Sequence, residues 1–382
     1  MTGVQPTPSP SLETRGLTPE GLAAVRTLFG QHLARGWHPG AQLAVYRDGV
    51  LVFELVGGEA TPGRALASDA RMLWFSATKP VMGTCIHLLH ERGLLDYDTP
   101  IASIWPRFGE SGKKAVTVRH ALTHQGGFPQ LNHGFDWSLV ADWEYATAQT
   151  AAIPAAWTPG TAVGYHPITY GWALGEVLRR IDGRMPREFM REEMFEPLGI
   201  ADAVSLGFEA GETERRAPVF AMSEQTRSDP EGTMHATSRI AEAFNSEAMA
   251  VAQAPAVNGY GTARALARFY AALLPTAPGG MLLRPETVAD ISRVQSETDC
   301  DRTQETPKRY GMGFYLSGLA GDPFDYHDGS GVFGHAGQQS SVGYADPRYG
   351  LAVAYITNGL QAPDIVTRRM AEMAATLREA CE

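Results

Sequence analysis

GHAGQQSSVGYADPRYGLAVAYITNG, residues 334–359, reads as two strands either side of a turn at Asp346-Pro347. YGMGFYLSG (310–318) before it has the same character, and a helix from Asp364 to about Ala380 follows it. The other end of the chain mirrors this pattern. GAQLAVYRDGVLVFELVGG (40–58) is a pair of strands around Asp48-Gly49, preceded by a helix over Pro19 to Ala34 with Leu22, Val25, Leu28, Phe29 and Leu33 at helical spacing. Between the two ends, from roughly Trp105 to Cys300, the chain consists mostly of helical segments separated by Gly and Pro loops, among them RMPREFMREEMF (184–195) and TARALARFYAALL (262–274). Strands at both ends with helices between them predict an α/β (α+β) fold, in which one antiparallel sheet is built from N- and C-terminal strands, flanked by helices, with an inserted helical region.

Length alone allows one large domain or two, division by about 150 residues giving a prior of two to three. The element pattern instead predicts a flexible arm over 1–18 and a single unit over 19–382, its α/β part about 19–95 and 305–382 and its helical part about 96–304. With 44% hydrophobic and 19% charged residues the composition is that of an ordinary globular enzyme. A formal charge of −10, and a single Lys pair at Lys113-Lys114, exclude a basic surface for nucleic acid. Cys85, Cys300 and Cys381 are odd in number and lack metal-ligand spacing, so free thiols and no metal site are expected. The opening residues lack the apolar run of a signal peptide and no stretch approaches a membrane span, so the expected location is cytoplasmic, without a membrane partner. The expected partner is a small-molecule substrate, and the oligomeric state is not written in the sequence.

WFSATKPVMG (74–83) sets Ser76 and Lys79 three residues apart at the start of a long apolar helix, KPVMGTCIHLLHERGLLD (79–96), so both side chains project from one face. A serine hydroxyl is a weak nucleophile until a base takes its proton, and a lysine serves as that base when burial disfavours its ammonium form. The helix N-terminus adds N–H groups that favour developing negative charge. Ser111-Gly112-Lys113-Lys114 repeats the spacing in a polar loop, where it reads as surface residues; Lys79 instead sits beside an apolar helix. Tyr165, at the mouth of a helix through Trp172, Leu174 and Val177, either packs or exchanges protons with the serine, with a neighbouring ammonium lowering its phenol pKa. At Gly334-His335-Ala336-Gly337-Gln338, small residues let a strand edge approach a ligand, where an N–H can join that of the nucleophile in an oxyanion hole; Gly337 otherwise marks a bulge.

Ser76-Ala77-Thr78-Lys79, Thr117 to His124 with Gly126-Gly127, Tyr165, Gly171 to Glu176, and Gly334 to Gly337 resemble, in kind and order, motifs of the penicillin-binding-protein and β-lactamase superfamily. Class C β-lactamases, D-amino-acid peptidases and family VIII carboxylesterases are the members it resembles. The resemblance runs from about Gly40 to Asn358. It implies a β-lactamase-like sheet beside an all-helical region and an acyl-enzyme on Ser76. It further implies acid/base work shared by Lys79 and Tyr165, an oxyanion hole from the N–H groups of Ser76 and Gln338, and no cofactor. Two positions depart from the β-lactamase pattern. Tyr165-His166-Pro167 has proline where an Asn amide is usual, and His335-Ala336-Gly337 replaces Lys-Thr-Gly, removing the ammonium that would pair with a substrate carboxylate. Both departures resemble esterase-type members.

The expected activity is therefore carboxylester hydrolysis of small neutral esters, with catalytic Ser76, Lys79 and Tyr165, and with His335, Ala336, Gly337 and His166 against the substrate. The alternatives are a β-lactamase or D-aminopeptidase, an acyltransferase, and a catalytically silent scaffold of the same fold. His166 is either a site wall or simply hydrogen-bonded. His120 and His124 lack a third ligand and read as structural, His87 and His90 as the polar face of their helix, and Asn258 to Gly261 as a turn with Thr262 capping the next helix. No Gly-x-Ser-x-Gly elbow, His-Glu-x-x-His helix or phosphate-cradling loop is present.

Overall fold

Leu43 and Val45 point to one face of a strand and Ala44 and Tyr46 to the other, and both faces are buried. This strand lies inside a sheet covered on both sides. The computed structural model describes residues 15–132, 134–209, 211–212, 214–223, 226–228, 234–276, 280–324 and 331–381. Its strands β1 (Gly40–Arg47), β2 (Val50–Thr61), β3 (Arg64–Ala65), β4 (Ser296–Thr298), β5 (Lys308–Tyr310), β6 (Tyr315–Leu316), β7 (Phe333–Ala336), β8 (Ser341–Asp346) and β9 (Leu351–Thr357) form one antiparallel sheet in the order β4-β5-β6-β7-β8-β9-β1-β2-β3. The two ends of the chain meet inside it, with β1 against β9 from Ala41 opposite Thr357 to Arg47 opposite Leu351.

Six helices position the site: α1 (Pro19–Ala34), α2 (Lys79–Glu91), α3 (Trp143–Ala152), α4 (Thr169–Asp182), α5 (Ala263–Ala271) and α6 (Pro363–Glu379). α1 and α6 cover one face of the sheet through Val25, Phe29, Met370, Met373 and Leu377, packed with Leu43, Val45, Val353 and Tyr355. Across the sheet, Leu266 and Tyr270 of α5 meet the small side chains Ala44, Ala352 and Ala354. Gly343 belongs to this close approach, because a Cβ there would stand 2.6 Å from the Tyr270 ring. α2 packs on α4, and α4 on α3, to form the helical layer beside the sheet.

Several expectations change in detail. Of the arm expected over 1–18, residues 1–14 lie outside the described residues, while Leu17 is buried and Thr18 Oγ1 accepts the Gly21 N–H, so ordered structure starts before residue 19. β4 falls in the stretch read as helical; it is a short polar edge strand with no apolar periodicity to announce it. Asn258–Gly261 is not a turn: Gly259–Gly261 is a strand between Met72–Leu73 and Val204–Leu206, and Thr262 caps α5 as expected. His87 is fully buried, joining the Tyr97 hydroxyl (2.8 Å) to the Met312 carbonyl (3.1 Å), and so forms no polar face. Among the described residues no helix is long and apolar enough to cross a membrane.

Candidate active site

The Ser76 turn is built against glycines. Trp74 Nε1 donates to the Gly261 carbonyl (3.1 Å), and a Cβ on Gly261 would come within 2.5 Å of the indole, so only glycine lets the ring lie on that strand. Phe75 then takes φ 48°, a left-handed conformation that costs a bulky residue energy and persists only where packing imposes it. The chain enters a 3₁₀ turn over Phe75–Thr78 and becomes α2 at Lys79, so Ser76 sits one turn before the helix rather than on its first residues. Phe75, Ala77, Thr78 and Lys79 are buried, and Ser76 is half-buried among them.

Lys79 Nζ lies 3.1 Å from Ser76 Oγ, 2.6 Å from the Pro167 carbonyl and 3.2 Å from the Ala256 carbonyl. Burial pushes its pKa well below the ordinary 10.5. A neutral amine has two N–H bonds and one lone pair. Donating to the two carbonyls leaves the lone pair for the Ser76 hydroxyl. Pro167, whose ring removes a side-chain amide, thus supplies its main-chain oxygen to the lysine instead. Gly171 explains the second carbonyl: a Cβ there would come within 2.3 Å of Ala256 N, so its absence lets Ala256 reach α4 and Lys79.

Tyr165 is buried, its ring centroid 4.7 Å from Lys79 Nζ and 5.9 Å from that of Tyr315. Its pKa is raised well above 10 by burial, then by Tyr315. The lowering anticipated from a nearby ammonium does not occur, since the same burial that excludes water from the phenol also disfavours charge on Lys79. Asp301, which sequence reasoning missed, holds this tyrosine by its backbone: both carboxylate oxygens lie 3.0 Å from the Tyr165 N–H, and Oδ2 also accepts from the Tyr310 hydroxyl (2.9 Å). The N–H groups of Thr303 and Gln304 complete its shell at 2.8 and 2.9 Å. Asp-x-Thr-Gln is a local capping signal. Its long-range use is not written in the sequence.

The end of β7 docks on the Ser76 turn. A Cβ on Gly337 would meet Ser341 Oγ at 2.1 Å and the Trp74 carbonyl at 2.2 Å, so this glycine marks a close approach and not a bulge. Gly337 N–H donates to the Ser341 carbonyl (2.7 Å), and Ser341 Oγ donates to the Trp74 carbonyl (2.7 Å). The next N–H, that of Gln338, and the N–H of Ser76 have no backbone acceptor among the described residues. Gln339 follows with φ 52°. Each free N–H is therefore flanked by a non-glycine residue in left-handed backbone.

The remaining candidates divide. His335 is buried, stacks on Tyr315 (centroids 4.0 Å apart) and is held well below its usual pKa by burial and by Lys79, so it is neutral; Ala336 is half-buried beside it. His166 is fully buried, and its Nε2 accepts the Phe128 N–H (3.1 Å). Burial holds it down to about 3, making it a neutral tie beneath the site and not an exposed wall. His124 Nδ1 accepts the His166 N–H, and His120 forms a reciprocal cap with Thr117, so both serve structure. Lys113, read as a surface lysine, is instead buried and donates to the Ala151 (2.8 Å) and Ile153 carbonyls at the end of α3. Among the described residues no cluster of His, Cys, Asp and Glu could hold a metal ion.

Ser76, Lys79 and Tyr165 thus converge from the start of α2 and the approach to α4, with the end of β7 docked on the turn that carries Ser76. The Beta-lactamase family matches residues 25–377. The esterase/beta-lactamase LipL of Mycobacterium tuberculosis is 31% identical over 372 residues, spanning 91% of this chain and 83% of that protein. A crystal structure of a family VIII carboxylesterase, 28% identical, superposes with a TM-score of 0.81 over 96% of this chain and 100% of that one. A penicillin-binding-protein homologue from Caulobacter crescentus, 31% identical, gives 0.80 over 95% and 99%. The chain belongs to the Beta-lactamase family and is a serine hydrolase of the β-lactamase and penicillin-binding-protein superfamily.

Proposed function

We propose that the chain is a carboxylesterase hydrolysing small, mostly neutral esters through an acyl-enzyme on Ser76. The observation that carries this reading is the buried Lys79 amine, 3.1 Å from Ser76 Oγ with its other two contacts both carbonyl oxygens. Lys79 takes the Ser76 proton as Oγ attacks the ester carbonyl. The N–H groups of Ser76 and Gln338 receive the oxyanion. As the intermediate collapses, Tyr165, kept as a neutral phenol, gives its proton to the departing alcohol oxygen and recovers one from the Lys79 ammonium. Water then attacks the acyl-enzyme, yields its proton to the neutral amine, and the carboxylic acid leaves as Ser76 is reprotonated. Ester over lactam follows from position 335, where a neutral buried imidazole offers no cation to a substrate carboxylate. The names of LipL and of the family VIII structure support the same choice.

Replacing Ser76 by Ala abolishes turnover of p-nitrophenyl esters without unfolding the chain; substantial residual hydrolysis by that variant would refute the assignment. The name of LipL also favours a second reading, lactam hydrolysis. Comparing nitrocefin with p-nitrophenyl butyrate separates the two, and faster nitrocefin turnover would replace the first reading with the second.

A further inference from the structure

Arg369 of α6 is fully buried, and among the described residues no carboxylate pairs with it. A guanidinium without water or counter-ion needs other compensation. Its Nη2 donates to the Gln339 and Ser340 carbonyls, at 3.4 and 3.1 Å, and its Nη1 to His38 Nδ1 at 3.4 Å. Arginine only donates, so Nδ1 of His38 is an acceptor and its Nε2–H faces the Tyr355 hydroxyl at 3.5 Å. Tyr355 in turn donates to His32 Nδ1 (3.1 Å), and His32 Nε2–H to Glu372 Oε2 (3.1 Å). Burial keeps both imidazoles neutral, His32 down to about 4 and His38 well below its usual value. The bonds therefore run in one direction, from a buried cation to a carboxylate near the surface, and each polarises the next.

The carbonyls that this cation holds belong to the turn after β7. Gln339, with φ 52°, immediately follows Gln338, whose N–H has no backbone acceptor among the described residues. The turn is gripped from two sides. On the Ser76 side, Gly337 and Ser341 are bonded together and to Trp74; on the far side, the Gln339 carbonyl also receives the Gln361 N–H (3.5 Å) and that of Ser340 the Thr357 hydroxyl (3.1 Å). Arg369 is the charged member of that grip.

We propose that Arg369 is a positioning residue for the oxyanion hole, its guanidinium fixing the Gln339 and Ser340 carbonyls so that the Gln338 N–H points at the carbonyl oxygen of the ester attacked by Ser76. The proposal rests on the acyl-enzyme reading above. An oxyanion contact strengthens only as charge develops, so its misplacement lowers kcat while leaving KM nearly unchanged. A purely structural tie between α6 and the sheet would lower thermal stability and leave turnover per intact site alone.

The test is p-nitrophenyl butyrate turnover by Arg369→Met and Arg369→Lys, with active sites counted by intact-mass titration with a fluorophosphonate. Per titrated site, Arg369→Met is expected to lose at least about tenfold in kcat, less than the roughly 10²–10³ for outright loss of an oxyanion donor, with KM within about twofold. Arg369→Lys, which keeps the cation but lacks the planar fork that reaches His38 and the two carbonyls together, is expected to fall between wild type and Arg369→Met and carries the test if the methionine variant does not fold. Unchanged kcat per titrated site in the folded variants overturns the proposal, whatever happens to Tm. Wild-type protein that hydrolyses the ester yet takes no label on Ser76 overturns the acyl-enzyme reading and this proposal with it.

Discussion

At Lys79 the amine has lost bulk water, and this desolvation favours its neutral form over the ammonium although two carbonyl oxygens and one hydroxyl lie within hydrogen-bonding distance. The sign of the pH effect follows. The neutral fraction grows as pH rises through the lowered pKa, so kcat/KM is expected to climb on an acid limb well below 10.5 and then level off. The raised Tyr165 phenol stays protonated beyond pH 10, so no fall from tyrosinate formation enters before that. A profile still rising near pH 10 would show that Lys79 keeps its ordinary affinity for the proton. Asp301 gives a second outcome at this scale. Asp301→Ala strands the buried N–H of Tyr165 and the Tyr310 hydroxyl, and urea unfolding is expected to show a loss of about 2–3 kcal/mol, with reduced turnover. Ser76 and Lys79 were legible in the sequence from their three-residue spacing at the start of an apolar helix, and Tyr165 through the family resemblance. Pro167, Ala256 and Asp301 were not, since two of them act through carbonyl oxygens that every residue possesses and the third reaches Tyr165 from 136 residues away.

Two glycines, Gly337 just after β7 and Gly343 within β8, separate what the elements do for the site from what they do for stability. In Gly337→Ala the new methyl would press on the Trp74 carbonyl and Ser341 Oγ, forcing the end of β7 away from the Ser76 turn. In Gly343→Ala it would press on Tyr270 and Leu266 of α5, on the face that packs the core. Both are expected to cost about 1–3 kcal/mol of stability by overpacking. Only Gly337→Ala is expected to lower kcat markedly when assayed well below its Tm; equal kcat in the two variants would mean that this approach does not set the site. Elements with strong periodicity, such as α1, β1 and α6, were readable to within a residue or two, whereas α5 ends at Ala271 and not at Leu274, and the stretch 334–359, read as two strands, holds the three strands β7 to β9. The three-residue strands Ser296–Thr298 and Gly259–Gly261 were not: the first is polar, the second glycine-rich, and pairing alone defines both.

Across the whole molecule, the hairpin of β1 and β2 and the C-terminal strands β7 to β9 close one sheet, in which the end of β7 meets the Ser76 turn. That architecture was inferable from strands at both ends of the chain, because a sheet built from the termini leaves the middle free to form a separate layer. What the order of elements could not reveal is the clamp from α6 to the turn after β7, which exists only once the sheet is closed. A formal charge of −10 and a neutral imidazole at position 335 both disfavour anionic substrates, so p-nitrophenyl butyrate is expected to be hydrolysed faster than the carboxylate-bearing nitrocefin. The most direct measurement is the rate and location of fluorophosphonate labelling, followed by intact mass and peptide mapping, in the wild-type chain and in a folded Lys79→Met variant. The expected result is a single adduct on Ser76, formed about 10²–10⁴-fold more slowly once the amine is gone. An adduct on another residue, or equal rates with and without the lysine, would contradict the activation of Ser76 by Lys79.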